Sequence, residues 1–394
     1  MTTRRPPTLP ENPWADLTGT QRRIVLELLR HGRLSRPQIM EAVGISPASI
    51  TRLTAPLVAS GLLTATAEQV AATGRPQTPL EVRAEAESIM GATLSVTSLT
   101  VVVTDLTLTP HASVQVPLGS RSPDDVVALL KDTVAEAVSG AGRLPPPACA
   151  GISLGGATRG GRVVGEATFY GWSSVPLARL AEEALGVPCT VANDLVALTL
   201  GEAWFGAGRG KDPFAMVTLG AGIGCGVVVA GEVVSGAQGA AGSVGHLPVD
   251  PSGPSCEIGH PGCARALAST PGILRAAAEH LECEAGELSL DLLLSPDKRR
   301  HNGVDDVLRR AVLAIGRVVG TLIAYVDPEL VVVSGEGVAV VETYREVFDE
   351  EVGGLRHWAA APVPVLLRPF EFDEWARGAA ALALDQWTVV AGGR

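Results

Sequence analysis

The sequence predicts an α/β protein in which an amino-terminal winged helix-turn-helix precedes a body of two lobes. Three short helical segments, each followed by a glycine, come first, and strands then alternate with helices through most of the 394 residues. Charge divides the chain in the same way, because residues 1–82 hold nine arginines against six acidic residues while the body is acidic, within a net charge of −11. A basic head before an acidic body favours a DNA contact confined to the head.

Composition sets the broad class. Hydrophobic residues make up 46% and charged residues 19%, which excludes wholesale disorder, collagen and coiled coil. Six cysteines are too sparse for a disulfide framework, and residues 1–16 read as a flexible segment without the apolar stretch of a signal peptide. We expect a cytoplasmic, nucleoid-associated protein with no membrane partner. The uncharged segment Pro213–Gly231 has glycine at every second position around its centre, which predicts two strands and a turn.

Residues 17–82 predict the winged helix-turn-helix. Gln21–His31 has apolar residues at helical spacing, Ser35 is a natural N-cap for a second helix, and Gly44 ends it. Ser46 and the proline after it then begin a third helix. This arrangement of a helix, a tight turn and a second helix is typical of a helix-turn-helix.

The third helix predicts a DNA-recognition surface. Short polar side chains near its start suit contacts with base edges, and the predicted contacts are Ser46, Pro47, Ala48, Ser49, Thr51 and Arg52. Leu62–Ala65 and Thr78–Val82 predict a two-stranded wing with Arg75 near its tip, suited to the minor groove or a phosphate. A three-helix protein-interaction module is the alternative, and the local basic charge favours DNA.

The body, residues 88–394, predicts mixed sheets with helices from two lobes. Expected strands are 89–96, 99–106, 112–118, 148–154, 189–192 and 330–333, and expected helices are 122–138, 177–185, 194–204, 271–281, 305–326 and 374–390.

Gly151–Gly155 matches the G-x-S-x-G motif of serine hydrolases. That motif needs a helix directly after its strand, whereas Gly156, Gly160 and Gly161 predict a loop. We therefore interpret the match as accidental. Neither the dinucleotide-binding fingerprint nor the P-loop spacing occurs in the sequence.

Asn193 and Asp194 stand between a predicted strand and a predicted helix. Ligands bind at this place in open α/β folds, where an amide and a carboxylate side by side can hold adjacent hydroxyls. The Asp could also act as a general base. A plain helix N-cap explains the same pair equally well.

A loop rich in proline and glycine carries His246, Cys256, His260 and Cys263. Histidine and cysteine at these separations predict a tetrahedral zinc site, which His260 would complete. Buried free cysteines in a loop without metal are the alternative.

Four segments together are similar to the ROK family of repressors and sugar kinases: Asn193–Asp194, 217–224, 242–246 and 256–263. The resemblance spans nearly the whole chain, and the winged helix resembles the family's regulator branch, which includes xylose and N-acetylglucosamine repressors. It implies an actin-like, two-lobed ATPase fold with a sugar site in its cleft, a structural zinc and oligomers.

The nucleotide loop departs from the family pattern. Kinases of the family open the body with D-x-G-G-T, whereas this chain has Thr93–Thr97, without the acid or either glycine. We predict no kinase activity, no ATP cofactor and no catalytic residue, although Asp194 occupies the position of the family's catalytic base.

The sugar site departs from the family as well. Ser243 and Arg265 stand where the family usually has glutamates, which favours a phosphorylated or acidic sugar. The resemblance implies an effector site of Gly155, Asn193, Asp194, Ser243, His246 and Arg265. It also implies a metal site of His246, Cys256 and Cys263, in which Ile258 replaces a cysteine ligand.

The sequence thus predicts a transcriptional regulator that binds an inverted-repeat operator as a homodimer or homotetramer and responds to a sugar or sugar phosphate. Two alternatives stay open: an active sugar kinase with a DNA-binding head, and a regulator whose body only oligomerises.

Overall fold

The computed structural model describes residues 17–65, 78–237, 239–369, 371 and 373–390. The chain divides into two compact units. The first comprises Met1–Gly210 and Phe372–Arg394, and the second Lys211–Glu371. The winged helix-turn-helix therefore belongs to the first unit, together with the first lobe of the body.

The head has the predicted order of helices and strands. Its elements are α1 (Gly19–His31), α2 (Arg36–Val43), α3 (Pro47–Ala59), β1 (Leu63–Ala65) and β2 (Leu80–Val82). A capping box begins α1, since the Gln21 amide donates to Thr18 Oγ1 at 3.3 Å and the Thr18 amide donates to Gln21 Oε1 at 3.0 Å. Gly44 ends α2 in the left-handed conformation with φ of +72°. The predicted helices and hairpin are confirmed, and Arg75 lies outside the described residues.

A small apolar core holds the head together. Its fully buried members include Ile24, Ile39, Leu57, Leu63 and Leu80, which come from all three helices and both strands. Burial of each such side chain contributes roughly 1.5–3 kcal/mol. The head thus has a core of its own that presents α3 on a fixed base.

The first lobe is built on a five-stranded sheet with the order β10-β6-β3-β4-β5. Its strands are β3 (Ser88–Leu94), β4 (Ser98–Asp105), β5 (Pro110–Pro117), β6 (Pro147–Leu154) and β10 (Cys189–Asn193). The first three are antiparallel, and β6 and β10 continue the sheet in parallel. Helices α4 (Pro123–Gly140) and α5 (Leu177–Leu185) cover one face with a buried apolar cluster.

Helices α6 (Asp194–Phe205) and α14 (Asp373–Val390) pack together, and α14 lies on the other face of this sheet. Adjacent glycines on β3 and β6 make this possible, because a methyl group at Gly151 would lie 1.8 Å from the carbonyl oxygen of Ala379. Gly91 has the same relation to the Ala376 carbonyl oxygen, also at 1.8 Å. A glycine is therefore needed at position 151 so that α14 can pack against the sheet. This packing is a structural reason for one glycine of the G-x-S-x-G match.

After Gly155 the chain enters a three-stranded antiparallel sheet. It consists of β7 (Ala157–Arg159), β8 (Val163–Ala167) and β9 (Trp172–Val175). Gly156, Gly160 and Gly161, which the sequence predicts as loop, lie in a bend and a turn, whereas the three strands were not predicted, because strands of three to five residues are too short to leave a clear alternation. The segment contains no helix, so the hydrolase motif lacks the context that it needs.

The second unit has a five-stranded sheet with the order β13-β12-β11-β14-β15. Its strands are β11 (Phe214–Leu219), β12 (Ile223–Val229), β13 (Glu232–Val233), β14 (Leu330–Ser334) and β15 (Val365–Leu367). The antiparallel pair β11 and β12 confirms the predicted glycine hairpin. No helix among the described residues is long and apolar enough to span a membrane.

Seven helices are described in the second unit, and the long α11 contributes many residues to its core. They are α7 (Ala264–Ala268), α8 (Thr270–Leu281), α9 (Leu290–Leu294), α10 (Pro296–Arg299), α11 (Asn302–Val326), α12 (Val338–Thr343) and α13 (Arg345–Gly354). Phe348 of α13 is fully buried in this core. The loop between β13 and α7 holds the candidate metal ligands.

Candidate functional site

The outer face of α3 carries the residues predicted to contact DNA. All are exposed except the half-buried Ser49, and they are Ser46, Pro47, Ala48, Ser49, Thr51 and Arg52. Helix α3 is also bonded to α1, since Gln21 Nε2 donates to the Leu53 carbonyl oxygen at 3.1 Å. The structure therefore gathers the predicted contact residues on one accessible helix surface.

Asn193 and Asp194 have different roles at the start of α6. Asn193 is the N-cap, because its Oδ1 accepts from the Leu195 amide at 3.0 Å and its Nδ2 donates to the Gly156 carbonyl oxygen at 3.1 Å. Both ends of the amide are thus occupied within the protein. Asp194 Oδ1 accepts from the same Leu195 amide at 2.8 Å, while Oδ2 lies 3.5 Å from the position of a methyl group on Gly155. Asp194 Oδ2 is therefore the oxygen that faces the predicted effector residue Gly155.

The surroundings of Asp194 favour a ligand that donates hydrogen bonds. Burial raises the pKa of its carboxyl group, and the bonds from backbone amides only partly oppose this effect. Burial also raises the pKa of Tyr170, followed by the nearby charge of Asp194, and the Tyr170 hydroxyl donates to the Leu94 carbonyl oxygen at 2.8 Å. A sugar hydroxyl donated to Asp194 would stabilise its charged form.

An aromatic ring that sequence reasoning missed lies near Gly155, the glycine that Asp194 also faces. Phe169 is 52% exposed, and its Cδ2 lies 3.9 Å from the methyl position on Gly155 that also faces Asp194. An exposed ring next to a carboxylate can pack on the apolar face of a sugar while the carboxylate takes its hydroxyls. The aromatic pair 169–170 in a turn between two strands was the available signal.

Of the segment Thr93–Thr97, the first two residues end β3 and the last three form the turn to β4, which is closed by its own side chains. Ser95 Oγ accepts from the Ser98 amide at 2.9 Å and from the Thr97 amide at 3.3 Å. The Ser95 amide donates to the Ser98 carbonyl oxygen at 2.9 Å. These three amides already have partners inside the turn, and Val96 is 43% exposed at its tip.

The glycine turn of the second unit is bordered by charged side chains. Arg265 Nη1 lies 3.1 Å from the methyl position of Gly222, and Glu336 Oε2 lies 3.5 Å from that of Gly220. Arg265 Nε donates to Glu257, so its positive charge is paired. A carboxylate in front of Gly220 disfavours an approaching phosphate.

Ser243 lies on the exposed loop before His246. Its hydroxyl donates to the Ala240 carbonyl oxygen at 2.9 Å. Ser243, His246 and Arg265 all belong to the second unit, whereas Gly155, Asn193 and Asp194 belong to the first.

Histidine and cysteine side chains converge in the loop before α7. The ligand atoms of His246, Cys256 and His260 all lie within 4.8 Å of one another, and His246 Nδ1 is 3.8 Å from Cys256 Sγ. Tetrahedral zinc with bonds of about 2.0–2.3 Å places its ligands roughly 3.3–3.8 Å apart. Cys263 is fully buried and interacts with the Cys256 thiol. Ile258 is 62% exposed, so the residue in place of a cysteine is directed to solvent.

The pKa shifts of two side chains in this cluster favour their deprotonated forms. Burial would raise the pKa of Cys256, but the backbone amides of Ile258 and His260, followed by the Cys263 thiol, outweigh it and lower the pKa. Burial, then the charges of His260 and Arg265, lower the pKa of His246. A thiolate and a neutral imidazole are the forms that bind metal.

Comparison with known families decides the classification of the body. The sequence profile described as ROK family matches residues 89–386. The chain belongs to the ROK family. A second profile, described as winged helix-turn-helix DNA-binding, matches residues 17–64. The ROK body and the winged head are therefore both present in this chain.

Relatives of this ROK protein include kinases and regulators. A glucokinase of Thermotoga maritima is 36% identical over 178 residues, which cover 42% of this chain and 56% of the glucokinase. The N-acetylglucosamine repressor of Escherichia coli O157:H7 is 25% identical over 318 residues, 78% of each chain. The chain thus matches little more than half the length of the glucokinase.

A solved structure extends the similarity of fold to nearly the whole chain. The crystal structure of a ROK family transcriptional regulator, a homolog of the E. coli MLC protein, superposes with a TM-score of 0.75. It covers 94% of this chain and 96% of its own at 23% identity. At that identity the likeness establishes the fold alone.

Proposed function

We propose that this ROK protein is a sequence-specific DNA-binding regulator whose operator affinity is changed by a sugar or sugar phosphate. The observation that carries the proposal is the combination, in one unit, of an exposed α3 surface, an Asp194 carboxylate that faces Gly155 and a β3–β4 turn whose amides are already bonded. The similarity to a repressor over 78% of both chains supports it. Its place of action would be chromosomal DNA in the cytoplasm.

The head would read DNA through the exposed face of α3. Arg52 would contact a base edge, and Arg75 would contact the backbone or the minor groove. Two heads of a homodimer or homotetramer would bind successive major grooves of an inverted repeat, about 34 Å apart. Arg52→Ala is expected to weaken binding and relax sequence preference, while Arg75→Ala lowers affinity evenly across sequences. Unchanged operator affinity in both variants would remove these assignments.

The body would not transfer phosphate. Catalysis of this kind needs backbone amides free to hold the nucleotide phosphates, and Ser95 occupies those of its own turn. The Glu336 carboxylate in front of Gly220 adds repulsion in the second unit. A sugar-dependent ATPase assay tests the proposal, and turnover at the rate of a kinase, above about 1 per second, would contradict it.

The effector would bind against Asp194 and Gly155, with the ring of Phe169 as an apolar platform. Both ends of the Asn193 side-chain amide already have partners within the protein. Asn193 would therefore shape the site by holding the Gly156 carbonyl group in place. An effector role for Ser243, His246 and Arg265, which belong to the second unit, rests on the family resemblance alone. A phosphorylated sugar would then have to compete with Glu257 for Arg265.

Calorimetry with glucose, xylose, N-acetylglucosamine and the 6-phosphates of glucose and N-acetylglucosamine tests the class of effector. We expect tighter binding of a phosphate ester, with the preference lost in Arg265→Gln. Arg345→Gln, an arginine of the same unit that pairs with Asp349, serves as the control. Tight binding of a neutral sugar alone would contradict a phosphorylated effector.

The loop would hold a structural zinc through His246, Cys256, Cys263 and His260. Bound zinc would cross-link the loop, and His260 would supply the ligand that Ile258 no longer provides. We expect about one zinc per chain in elemental analysis of the purified protein, reduced in His260→Ala. Ile258→Ala, which removes an exposed side chain, is the matched control. Full zinc content in His260→Ala would contradict the role of that residue.

A further inference from the structure

The carboxyl end of α6 lies against the DNA-binding head. Arg209, four residues beyond α6, donates from Nε to the Arg30 carbonyl oxygen and from Nη2 to the Leu29 carbonyl oxygen, both at 2.8 Å. These carbonyl groups belong to the last turn of α1, where the helix offers them no amide partner of its own. One guanidinium therefore caps the end of a helix in another module.

A second arginine makes the reciprocal contact. The Arg30 guanidinium of α1 lies over the ring of Trp204 in α6, 4.9 Å from its centroid. Trp204 is only 2% exposed, so the ring is fixed within the lobe. A cation over a largely desolvated indole is attracted by the ring's quadrupole. Arg209 and Arg30 thus join the end of α1 to the carboxyl end of α6. We call these two contacts the clasp.

Gly32 leaves the room for this clasp. Its φ of +79° ends α1, and a methyl group at this position would lie 3.2 Å from Arg209 Nη2. Partial desolvation lowers the pKa of Arg209, although much of its stem is exposed. The guanidinium thus exchanges water for the two carbonyl groups, which hold it in one geometry.

The other end of α6 carries Asp194. A helix of 12 residues is about 18 Å long and moves as a rigid element. It is held against α14 at close quarters, since a methyl group at Gly201 would lie 3.1 Å from Gly378 Cα. A small displacement where the effector would bind is therefore carried along α6 to the clasp.

We propose that Arg209 is a positioning residue that fixes the DNA-binding head to α6 and so transmits occupancy at Asp194 to the orientation of α3. This proposal rests on the proposed sugar-responsive function. In the free protein the clasp holds one orientation of the head, and a ligand that displaces the start of α6 shifts the head through it. Coupling between two such sites is typically about 5- to 150-fold in affinity.

The test uses the full chain and an operator duplex selected from random DNA by the wild-type protein. Operator affinity is measured with and without glucose, xylose, N-acetylglucosamine and the 6-phosphates of glucose and N-acetylglucosamine. For the sugar that acts on the wild type, we expect its effect to fall below about twofold in Arg209→Gln, from a wild-type value within the usual range of coupling. Direct binding of that sugar stays within about twofold of wild type, because Arg209 lies far from Asp194 along α6.

Two further variants separate transmission from general damage. Arg179→Gln removes an exposed arginine of the same lobe that pairs with Glu183, and it keeps the full effect of the sugar. Arg209→Lys keeps the charge without the fork that reaches two carbonyl groups, and it recovers only part of the effect. Hydrogen exchange at Leu29–Gly32 is faster in Arg209→Gln than in wild type.

The outcomes discriminate between the two proposals. A full sugar effect in Arg209→Gln, or unchanged exchange at the end of α1, overturns the role of Arg209 and leaves the regulator intact. A wild-type protein that selects no duplex, or whose duplex none of the sugars affects, refutes the sugar-responsive function and the relay with it.

Discussion

Replacement of Gly151 by alanine tests the packing that holds α6 and α14 in place. The added methyl group would lie 1.8 Å from the Ala379 carbonyl oxygen, whereas a carbon and an oxygen in contact need about 3.3 Å. The gap of about 1.5 Å cannot come from a rotamer change, because the obstacle is backbone. Helix α14 must move, although the methyl position of Gly91 lies 1.8 Å from its Ala376 carbonyl oxygen and that of its own Gly378 lies 2.7 Å from Ala197 of α6.

Overpacking of a core costs about 1–3 kcal/mol, and a clash with backbone belongs at the upper end. We expect Gly151→Ala to lower the free energy of unfolding by about 3 kcal/mol, a large share of the roughly 5–15 kcal/mol typical of a folded protein. Urea denaturation followed by tryptophan fluorescence measures it, since Trp172, Trp204 and Trp387 all lie in the first unit.

Gly119→Ala is the matched control. No heavy atom lies within 4 Å of the methyl position there. The change should leave stability unaltered or raise it by up to about 1 kcal/mol, because alanine restricts the unfolded chain. A Gly151→Ala protein within about 0.5 kcal/mol of wild type would refute the argument that the glycine is needed for helix contact.

Three other predictions follow from the site. Sugar affinity measured by calorimetry should fall as pH decreases, because protonation of Asp194 removes a hydrogen-bond acceptor. The midpoint of the fall should lie above pH 3.8, the ordinary pKa of aspartate, since burial raises the pKa of Asp194. Affinity that is constant down to pH 3.8 would count against Asp194 as the acceptor. Asn193→Ala should lower the free energy of unfolding by about 0.5–2 kcal/mol in urea denaturation, because α6 loses its N-cap. Asn193→Asp should keep most of the wild-type stability, because aspartate also caps a helix. Equal stability of the two variants would disprove the capping role. Ser95→Ala should lower stability by about 1 kcal/mol without creating ATPase activity, and a gain of turnover would mean that Ser95 alone blocks the nucleotide.

Local signals predicted most of the secondary structure. The N-cap Ser35 and the terminating Gly44 of α2 are read from neighbours in sequence, and both are present. The same holds for the glycine hairpin of β11 and β12. The strands β7–β9 were not predicted, because they are short and are defined by pairing with each other rather than by their own periodicity.

The candidate site was less predictable. Asn193 and Asp194 were recognised as a pair, but only the hydrogen bonds separate a capping amide from a carboxylate with an oxygen toward Gly155. Phe169 was missed, because an aromatic residue in a turn carries no indication of which side chain it will approach.

The amino-acid sequence alone determined the order of modules, the recognition helix and the loss of the nucleotide-loop motif, since each is a pattern within a few consecutive residues. The tertiary structure decided why Gly151 is a glycine, which amides Ser95 occupies and that Arg209 caps α1. Such roles depend on atoms brought together from as many as 228 positions apart, as for Gly151 and Ala379. Helix caps and periodicity are local in the chain, whereas close contact between distant segments exists only once the sheet and its covering helices have packed.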